Sequence, residues 1–197
     1  MSAVLRPVRL PLPPRAAHAG LVPPPVCLYG VGHSALLDEP LLGLLASRNC
    51  PGRVLLDTLE EISAWVRAGR VILSGFHSPL EQQVLRSVLR RHGRVVKVLA
   101  RGLTEYHPPE LELGPLEQGR MLVLSPFPEQ VDRTTRETSL ARNRLVLALA
   151  TDLVIPHVSP NGGLAAVVAG MRSDLVGDFS FPDKPIPGNN ASLAPMP

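Results

Sequence analysis

The chain has few residues that would suit a metal, a disulfide or a membrane. Its 197 residues include two cysteines, Cys27 and Cys50, and these lack the CxxC spacing of zinc sites. No apolar run reaches the roughly 18 residues that a transmembrane helix needs. Prolines crowded into residues 7–14 interrupt the apolar stretch of any signal peptide. We therefore predict no metal site, no disulfide framework and no membrane association, and we expect a cytoplasmic protein.

Aromatic residues and a strong charge excess are also scarce. Aromatic residues make up 4% of the chain, which excludes a broad platform for stacking bases and leaves Tyr106 and Phe127 as candidates. The formal net charge is only +3, too small to predict nucleic-acid binding by itself. Nearly all of the 20 basic residues are arginine. The guanidinium fork suits phosphate, so individual arginines carry the functional argument.

Several catalytic signatures are missing. The sequence has neither the GxGxxG dinucleotide fingerprint nor the GxxxxGK[ST] phosphate loop. Its carboxylates show no pair at a catalytic spacing, and Asp152 is expected at the start of a strand. We predict no catalytic residues and no cofactor, and a binding protein is favoured over an enzyme.

Proline placement divides the chain. The 22 prolines concentrate in residues 7–25 and again in residues 182–197. This distribution predicts a Pro-rich, extended or mobile flank over residues 1–21, a folded domain over residues 22–177 and a Pro-rich tail over residues 178–197.

The middle of the chain alternates strands and helices. Apolar runs predict strands at residues 41–46, 71–73, 95–99, 121–124 and 152–155. Amphipathic or capped segments predict helices from Asp57 to Gly69, from Ser78 to Gly93, over residues 139–150 and over residues 164–171. Strands apolar on both faces indicate a parallel sheet. We predict an α/β fold with a doubly wound, mainly parallel, Rossmann-like sheet and helices on both faces.

Polar loops follow the predicted strands, where ligands of open parallel sheets bind. These loops are residues 47–52, 74–78, 101–106, 125–128 and 157–163. The candidate phosphate- or nucleic-acid-binding residues are Ser47, Arg48, Asn49, Ser74, Gly75, His77, Ser78, Arg142, Asn143, Arg144, Asn161, Gly162 and Gly163. Arg142, Asn143 and Arg144 are expected in the first turns of a helix, where free N–H groups and guanidinium groups together suit anions.

Ordinary structural roles compete with each of these interpretations. A solvated helix end explains an Arg-x-Arg pair, and a tight turn before a capped helix explains Ser74 and Gly75. A loop histidine such as His77 is often merely solvated.

The order of these segments resembles the DNA-processing protein A family (DprA, also called Smf). The matching segments are Ala46-Ser47-Arg48-Asn49 for Gly-Ser-Arg, Leu73-Ser74-Gly75 for Ser-Gly, Ala141-Arg142-Asn143-Arg144 for Arg-Asn-Arg, and Asn161-Gly162-Gly163-Leu164 for Ser-Gly-Ser-Leu. The resemblance covers residues 22–170 and only the family's Rossmann-like core domain. The chain is divergent: Ala46 replaces a glycine, and residues 76–81 lack the family's Gly-Arg-Gly-Ile-Asp character.

The resemblance implies a domain that binds single-stranded DNA, forms homodimers and helps to load the recombinase, without catalytic activity. Two other functions stay open. One is nucleotide binding or cleavage, because Pro160-Asn161-Gly162-Gly163 partly resembles a loop of the phosphoribohydrolases called LOG proteins. The other is a purely structural role in a degenerate relative.

Overall fold

The computed structural model describes residues 4–17, 20–21 and 24–171. Seven strands form one sheet in the order β1-β2-β6-β5-β4-β3-β7. The strands are β1 Val8–Leu10, β2 Leu28–Gly32, β3 Leu41–Leu44, β4 Val71–Ser74, β5 Arg94–Val98, β6 Met121–Ser125 and β7 Asp152–Val154. Strands β3 to β7 are mutually parallel, whereas β2 runs antiparallel to both β1 and β6. The predicted Rossmann-like α/β fold is confirmed.

Five helices cover the two faces of this sheet. They are α1 Gly52–Arg67, α2 Pro79–Arg90, α3 Glu110–Glu117, α4 Arg136–Leu149 and α5 Gly163–Met171. One core lies under α1, α2 and α3, where Ile62, Val84 and Leu116 pack with residues of the sheet such as Val95 and Met121. The second core lies under α4 and α5 and includes Leu145, Val146 and Val167.

The strand order reverses at β3. From β3 the chain adds β4, β5 and β6 on one side, and it then returns through α4 to place β7 on the other side of β3. The loops after β3 and β7 therefore diverge to opposite faces and leave a crevice between them at the carboxyl end of the sheet. This reversal determines where a ligand could enter.

The N-terminal segment, predicted as an extended or mobile flank, packs against the sheet in its described part. Val8–Leu10 pairs with β2, a 3-10 turn follows at Pro14–Ala16, and Leu10, Ala16 and Leu21 are buried in the core. Proline is tolerated on an edge strand and in a turn, so its density did not prevent packing. The C-terminal tail, residues 178–197, lies outside the described residues.

Some predicted boundaries were wrong. Helix α1 begins at Gly52 rather than Asp57, since Pro51 precedes the first turn and no side chain caps it. The strand expected to reach residue 46 ends at Leu44. Helix α2 ends at Arg90, and the left-handed residue that follows it is His92, with φ of 58°, one position before the predicted Gly93.

Candidate functional site

A cleft of about 570 Å³ lies at the strand-order reversal, beyond the carboxyl ends of β3, β4 and β7. We refer to it as the cleft throughout. Its walls are residues 45–49 after β3, His77, Ser78 and Glu81 after β4, residues 134–136, Ser139, Leu140, Arg142 and Asn143 around the first half of α4, and Ser159 with residues 162–164 at the start of α5. Loops far apart in sequence thus form one concave surface.

Hydrogen bonds join the loop after β3 to the loop after β7. The backbone N–H of Ser47 donates to the carbonyl oxygen of His157 at 3.0 Å. Ser47 Oγ accepts from the backbone N–H of Ser159 at 2.8 Å. Ser159 Oγ donates to the carbonyl oxygen of Asn49 at 3.3 Å. Ser47 therefore holds two walls of the cleft together.

The buried carboxylate of Glu81 joins the loop after β3 to the loop after β4. Its Oε1 accepts the backbone N–H of Ala46 at 2.9 Å. Its Oε2 accepts those of His77 at 2.8 Å and Ser78 at 3.2 Å. The capping box of α2, in which the Glu81 N–H donates to Ser78 Oγ, was predictable from the Ser-Pro-Leu-Glu sequence. The bond to Ala46 was not, because it spans 35 residues.

Arg142 is the most buried cation of the cleft, with 6% of the residue exposed. It lies well inside α4, which begins at Arg136, so the predicted place at a helix start was wrong. Its guanidinium lies against Gly75, and its Nε donates to Asn143 Oδ1 at 2.8 Å. In the described part of the chain, its two terminal nitrogens donate no hydrogen bond. They are therefore available to a ligand.

Arg48 and His77 both line the cleft and contact each other there, with 3.2 Å between Arg48 Nη2 and His77 Nε2. A guanidinium has only donors, so His77 Nε2 accepts here and the imidazole is neutral. Burial lowers the pKa of His77, and the charges of Arg142 and Arg48 lower it further, whereas Glu81 opposes them. Burial also lowers the pKa of Arg142, which Glu81 raises and Arg48 lowers. Arginine nevertheless keeps its charge in proteins.

Not every predicted residue lines the cleft. Nine of the thirteen candidates do: Ser47, Arg48, Asn49, His77, Ser78, Arg142, Asn143, Gly162 and Gly163. Ser74 is fully buried and accepts the N–H of Phe76 at 3.1 Å, and Gly75 lies beneath Arg142. Asn161 turns the chain with φ of 60° and is not part of the lining. Arg144 is exposed and also lies outside the cleft.

Two of the five predicted polar loops contact each other instead of the cleft. Ser125 Oγ donates to the carbonyl oxygen of Arg101 at 2.7 Å, and the Gly102 N–H donates to the carbonyl oxygen of Val131 at 2.6 Å. The loops after β5 and β6 thus pack together at one side of the same sheet edge. They lie away from the strand-order reversal, and the cleft lining does not include them.

Tyr106, a candidate for base stacking, is buried in the protein. Its hydroxyl donates to Glu112 Oε2, and Lys97 Nζ donates to Glu112 Oε1 at 2.7 Å and to the Tyr106 oxygen at 3.1 Å. Burial and the Glu112 carboxylate raise the pKa of Tyr106. With 5% of Tyr106 exposed, its ring has no face open to a base.

Residues 13–172 match the family described as DNA recombination-mediator protein A. The chain belongs to this family. Protein Smf from Synechocystis sp. is 28% identical over 168 residues, which cover 83% of this chain and 42% of that protein. The chain therefore spans less than half the length of that curated relative. The predicted resemblance to the DprA/Smf family is confirmed.

Two solved structures of DNA processing protein A share the fold. The protein from Helicobacter pylori, which binds single-stranded DNA, superposes with a TM-score of 0.69 at 24% identity, over 87% of this chain and 78% of that one. The protein from Streptococcus pneumoniae gives a TM-score of 0.63 at 18% identity, over 87% and 59% respectively. At these identities the two structures establish the Rossmann-like fold of this DprA/Smf family member.

The described residues of this family member contain neither a metal-ligand cluster nor a membrane-spanning helix. Among them, no three His, Cys, Asp or Glu side chains stand together as a metal site. None of the helices in residues 4–17, 20–21 and 24–171 is both long enough and apolar enough to span a membrane.

Proposed function

We propose that this chain binds single-stranded DNA in the cleft, without catalysis, through contacts to the phosphate backbone. The related protein from Helicobacter pylori binds single-stranded DNA, and this chain belongs to the same DprA/Smf family. The observation that carries the proposal is Arg142, a buried arginine of the cleft lining whose terminal nitrogens have no hydrogen-bonded partner among the described residues. Such a group fits a phosphate oxygen pair.

The remaining donors of the cleft support a phosphate ligand. Arg48 and His77 lie in contact with each other in its lining, and Arg136 lines it from the start of α4. The start of α5, at Gly163 and Leu164, is part of the lining, and the free N–H groups of a first helical turn suit an anion. The cleft thus combines three arginines with a helix N-terminus.

The chemistry of the cleft supports binding rather than hydrolysis. Glu81 is the carboxylate of the lining, and both of its oxygens accept backbone N–H groups. A general base must reach the proton that it removes, and a carboxylate held in this way faces the loops instead. Cleavage of a nucleotide, as in the LOG-like alternative, therefore has no free carboxylate to act as its base among the described residues of the cleft.

A titration of fluorescent oligothymidine of about 20 nucleotides by anisotropy, at about 50 mM salt and above, tests the proposal. We expect Arg142→Gln to weaken binding about 10- to 100-fold, because a charge-assisted hydrogen bond contributes about 1.5–3 kcal/mol. In a plot of the logarithm of the binding constant against the logarithm of the salt concentration, the slope should also become shallower by about 1, because one fewer counterion is released.

Arg144→Gln is the matched control, since Arg144 lies two residues further along α4, exposed and outside the cleft. It removes the same charge, and we expect at most a twofold change, about the size of a screened surface charge effect. No binding at low salt, or equal losses in the two variants, would contradict the proposal.

A mononucleotide is the second candidate, favoured by the size of the cleft. Its volume of about 570 Å³ falls in the range of about 300–1,000 Å³ that small-molecule sites occupy. A thermal-shift series with nucleoside mono-, di- and triphosphates tests it. If a nucleotide raises the melting temperature and oligothymidine does not bind, the second proposal replaces the first.

The wider role rests on family membership. We propose that this chain acts in DNA processing in the cytoplasm. We also propose that it forms a homodimer and contacts a recombinase. Light scattering measures the oligomeric state directly. A monomer that binds neither oligothymidine nor nucleotides would leave the structural role of a degenerate relative.

A further inference from the structure

We propose that Glu81 is a positioning residue of the cleft: its carboxylate sets the spacing of the two phosphate-facing loops and leaves the terminal nitrogens of Arg142 free for the ligand. This inference rests on the proposed phosphate-binding function and names the side chain that prepares the site for it. Glu81 itself does not touch the ligand.

The hydrogen bonds of Glu81 provide the first argument. A single side chain, with 3% of the residue exposed, accepts N–H groups from Ala46 on one loop and from His77 and Ser78 on another. Arg48 follows Ala46 by two residues, and His77 is the residue that Arg48 contacts. The distance between these two ligand-facing side chains is therefore set by one carboxylate.

The charge of Glu81 provides the second argument. Its two oxygens accept three backbone N–H groups, the pattern of a carboxylate that acts only as an acceptor. Glu81 and Arg142 line the same cleft, and the negative charge of Glu81 raises the pKa of Arg142. Yet the ion pairs of the described residues include neither side chain.

Glu81 therefore compensates the charge of Arg142, but it forms its hydrogen bonds with backbone N–H groups instead of with the guanidinium. In an ordinary ion pair a carboxylate would occupy the guanidinium fork and compete with an incoming phosphate. In this cleft the carboxylate oxygens are held by backbone donors, so Glu81 lowers the cost of burying the Arg142 charge without taking its hydrogen bonds. The site is charged, buried and still open to an anion.

Glu81→Gln tests the positioning role because it keeps the size and removes the charge. The amide nitrogen of glutamine donates and cannot accept, so at least one of the N–H groups of Ala46, His77 and Ser78 loses its partner. We expect hydrogen–deuterium exchange in peptides covering these residues to accelerate about tenfold or more, as a lost hydrogen bond of about 1.5 kcal/mol implies.

Val88→Ala is the control for general destabilisation. Val88 is buried on the same helix but lies outside the cleft, so its truncation lowers the melting temperature without touching either loop. We expect unchanged exchange around Ala46 and His77 and unchanged affinity for oligothymidine. Equal acceleration in the Val88→Ala protein would overturn the positioning role.

A double-mutant cycle distinguishes positioning from a general structural role, because only positioning couples the effects of Glu81→Gln and Arg142→Gln on oligothymidine affinity. Glu81→Gln should weaken oligothymidine binding about tenfold in the wild-type background but only about twofold when Arg142→Gln is already present, since the two residues then act on one contact. An equal loss in both backgrounds would overturn the inference. If Glu81→Gln does not fold, Glu81→Asp replaces it, since it keeps the charge but is one methylene too short to reach Ala46.

The two measurements separate failure of this inference from failure of the proposed function. If the wild-type protein binds no oligothymidine, the proposed function fails and the ligand-directed part of the inference falls with it. Hydrogen exchange at Ala46 and His77 still decides whether Glu81 sets the loop spacing.

Discussion

The guanidinium of Arg142 lies directly against the backbone of Gly75, so close that a Cβ built on Gly75 would overlap Arg142 Nη1 and Cζ. Helix α4 and the exit of strand β4 can approach this closely only because residue 75 has no side chain. This contact places the most buried cation of the cleft over the loop that bears His77.

Gly75→Ala should therefore displace Arg142. The colliding atoms are the far end of a long side chain, so we expect the fold to persist and the affinity for oligothymidine to fall about tenfold or more, in line with loss of a charge-assisted bond. Anisotropy and thermal melting measure the two effects. Gly52→Ala is the control, since a Cβ there meets nothing within 4 Å. Equal loss of binding in both variants would contradict this account of Gly75.

Lys97→Met should destabilise the protein strongly. Lys97 and Glu112 form a largely buried ion pair, with 17% and 3% of their side chains exposed. Without the ammonium group, the Glu112 carboxylate stays buried with Tyr106 as its remaining partner, and loss of a buried partner costs about 3–5 kcal/mol. Urea unfolding gives this free energy.

Arg53→Met is the matched control for Lys97→Met. Arg53 and Asp57 pair on the surface of α1, with 74% and 63% of their side chains exposed. Surface pairs contribute about 0–1 kcal/mol, so we expect little change. Similar free-energy losses in the two variants would show that the Lys97 pair is not a buried interaction of consequence.

His77 should make stability depend on pH in a defined direction. Its pKa in the folded protein lies below the usual value of about 6.5, by burial first and then by Arg142 and Arg48. Between the lowered pKa and about 6.5 the unfolded chain binds a proton that the folded chain does not, so the free energy of unfolding falls as the pH falls through this window.

Urea unfolding from about pH 7.5 to about pH 5.5 measures this effect. We expect His77→Gln to lack this contribution, so that the variant gains stability relative to the wild type as the pH falls. The prediction is wrong if the free energy of unfolding changes with pH by the same amount in the wild type and in His77→Gln.

His92→Gly should stabilise the protein. His92 follows the last turn of α2 in the left-handed region, with φ of 58°, and its side chain is exposed. The left-handed conformation costs a non-glycine residue about 1 kcal/mol, whereas glycine adopts it at little cost. Chemical denaturation should show a gain of about that size. A loss of stability would mean that the His92 side chain makes a favourable contact.

The candidate site was partly predictable from the sequence. The sequence did not show which residues of α4 face the cleft. Arg142 and Arg144 were equivalent candidates, because both were expected in the first turns of a helix beginning near Ser139. The helix begins three residues earlier, at Arg136, and two positions correspond to a rotation of about 200°. One arginine therefore lies in the cleft and the other in solvent.

Some elements gave no usable sequence pattern. Helix α3 contains Pro115 and has no clear apolar face, so periodicity did not predict it. The edge strand β1 is three residues long and stands among prolines. Its pairing with β2 depends on where β6 brings the neighbouring strand, which local composition cannot indicate.

The sequence by itself determined the alternation of apolar strands and amphipathic helices, and hence a doubly wound sheet with polar loops at one edge. That much follows from local patterns of burial and capping. Only the tertiary structure decided which loops meet, because the strand order reverses at β3 and brings residues 47–49, 77–81 and 159–164 together across more than a hundred positions. The contacts that shape the cleft, Glu81 with Ala46 and Arg142 with Gly75, depend on that long-range packing.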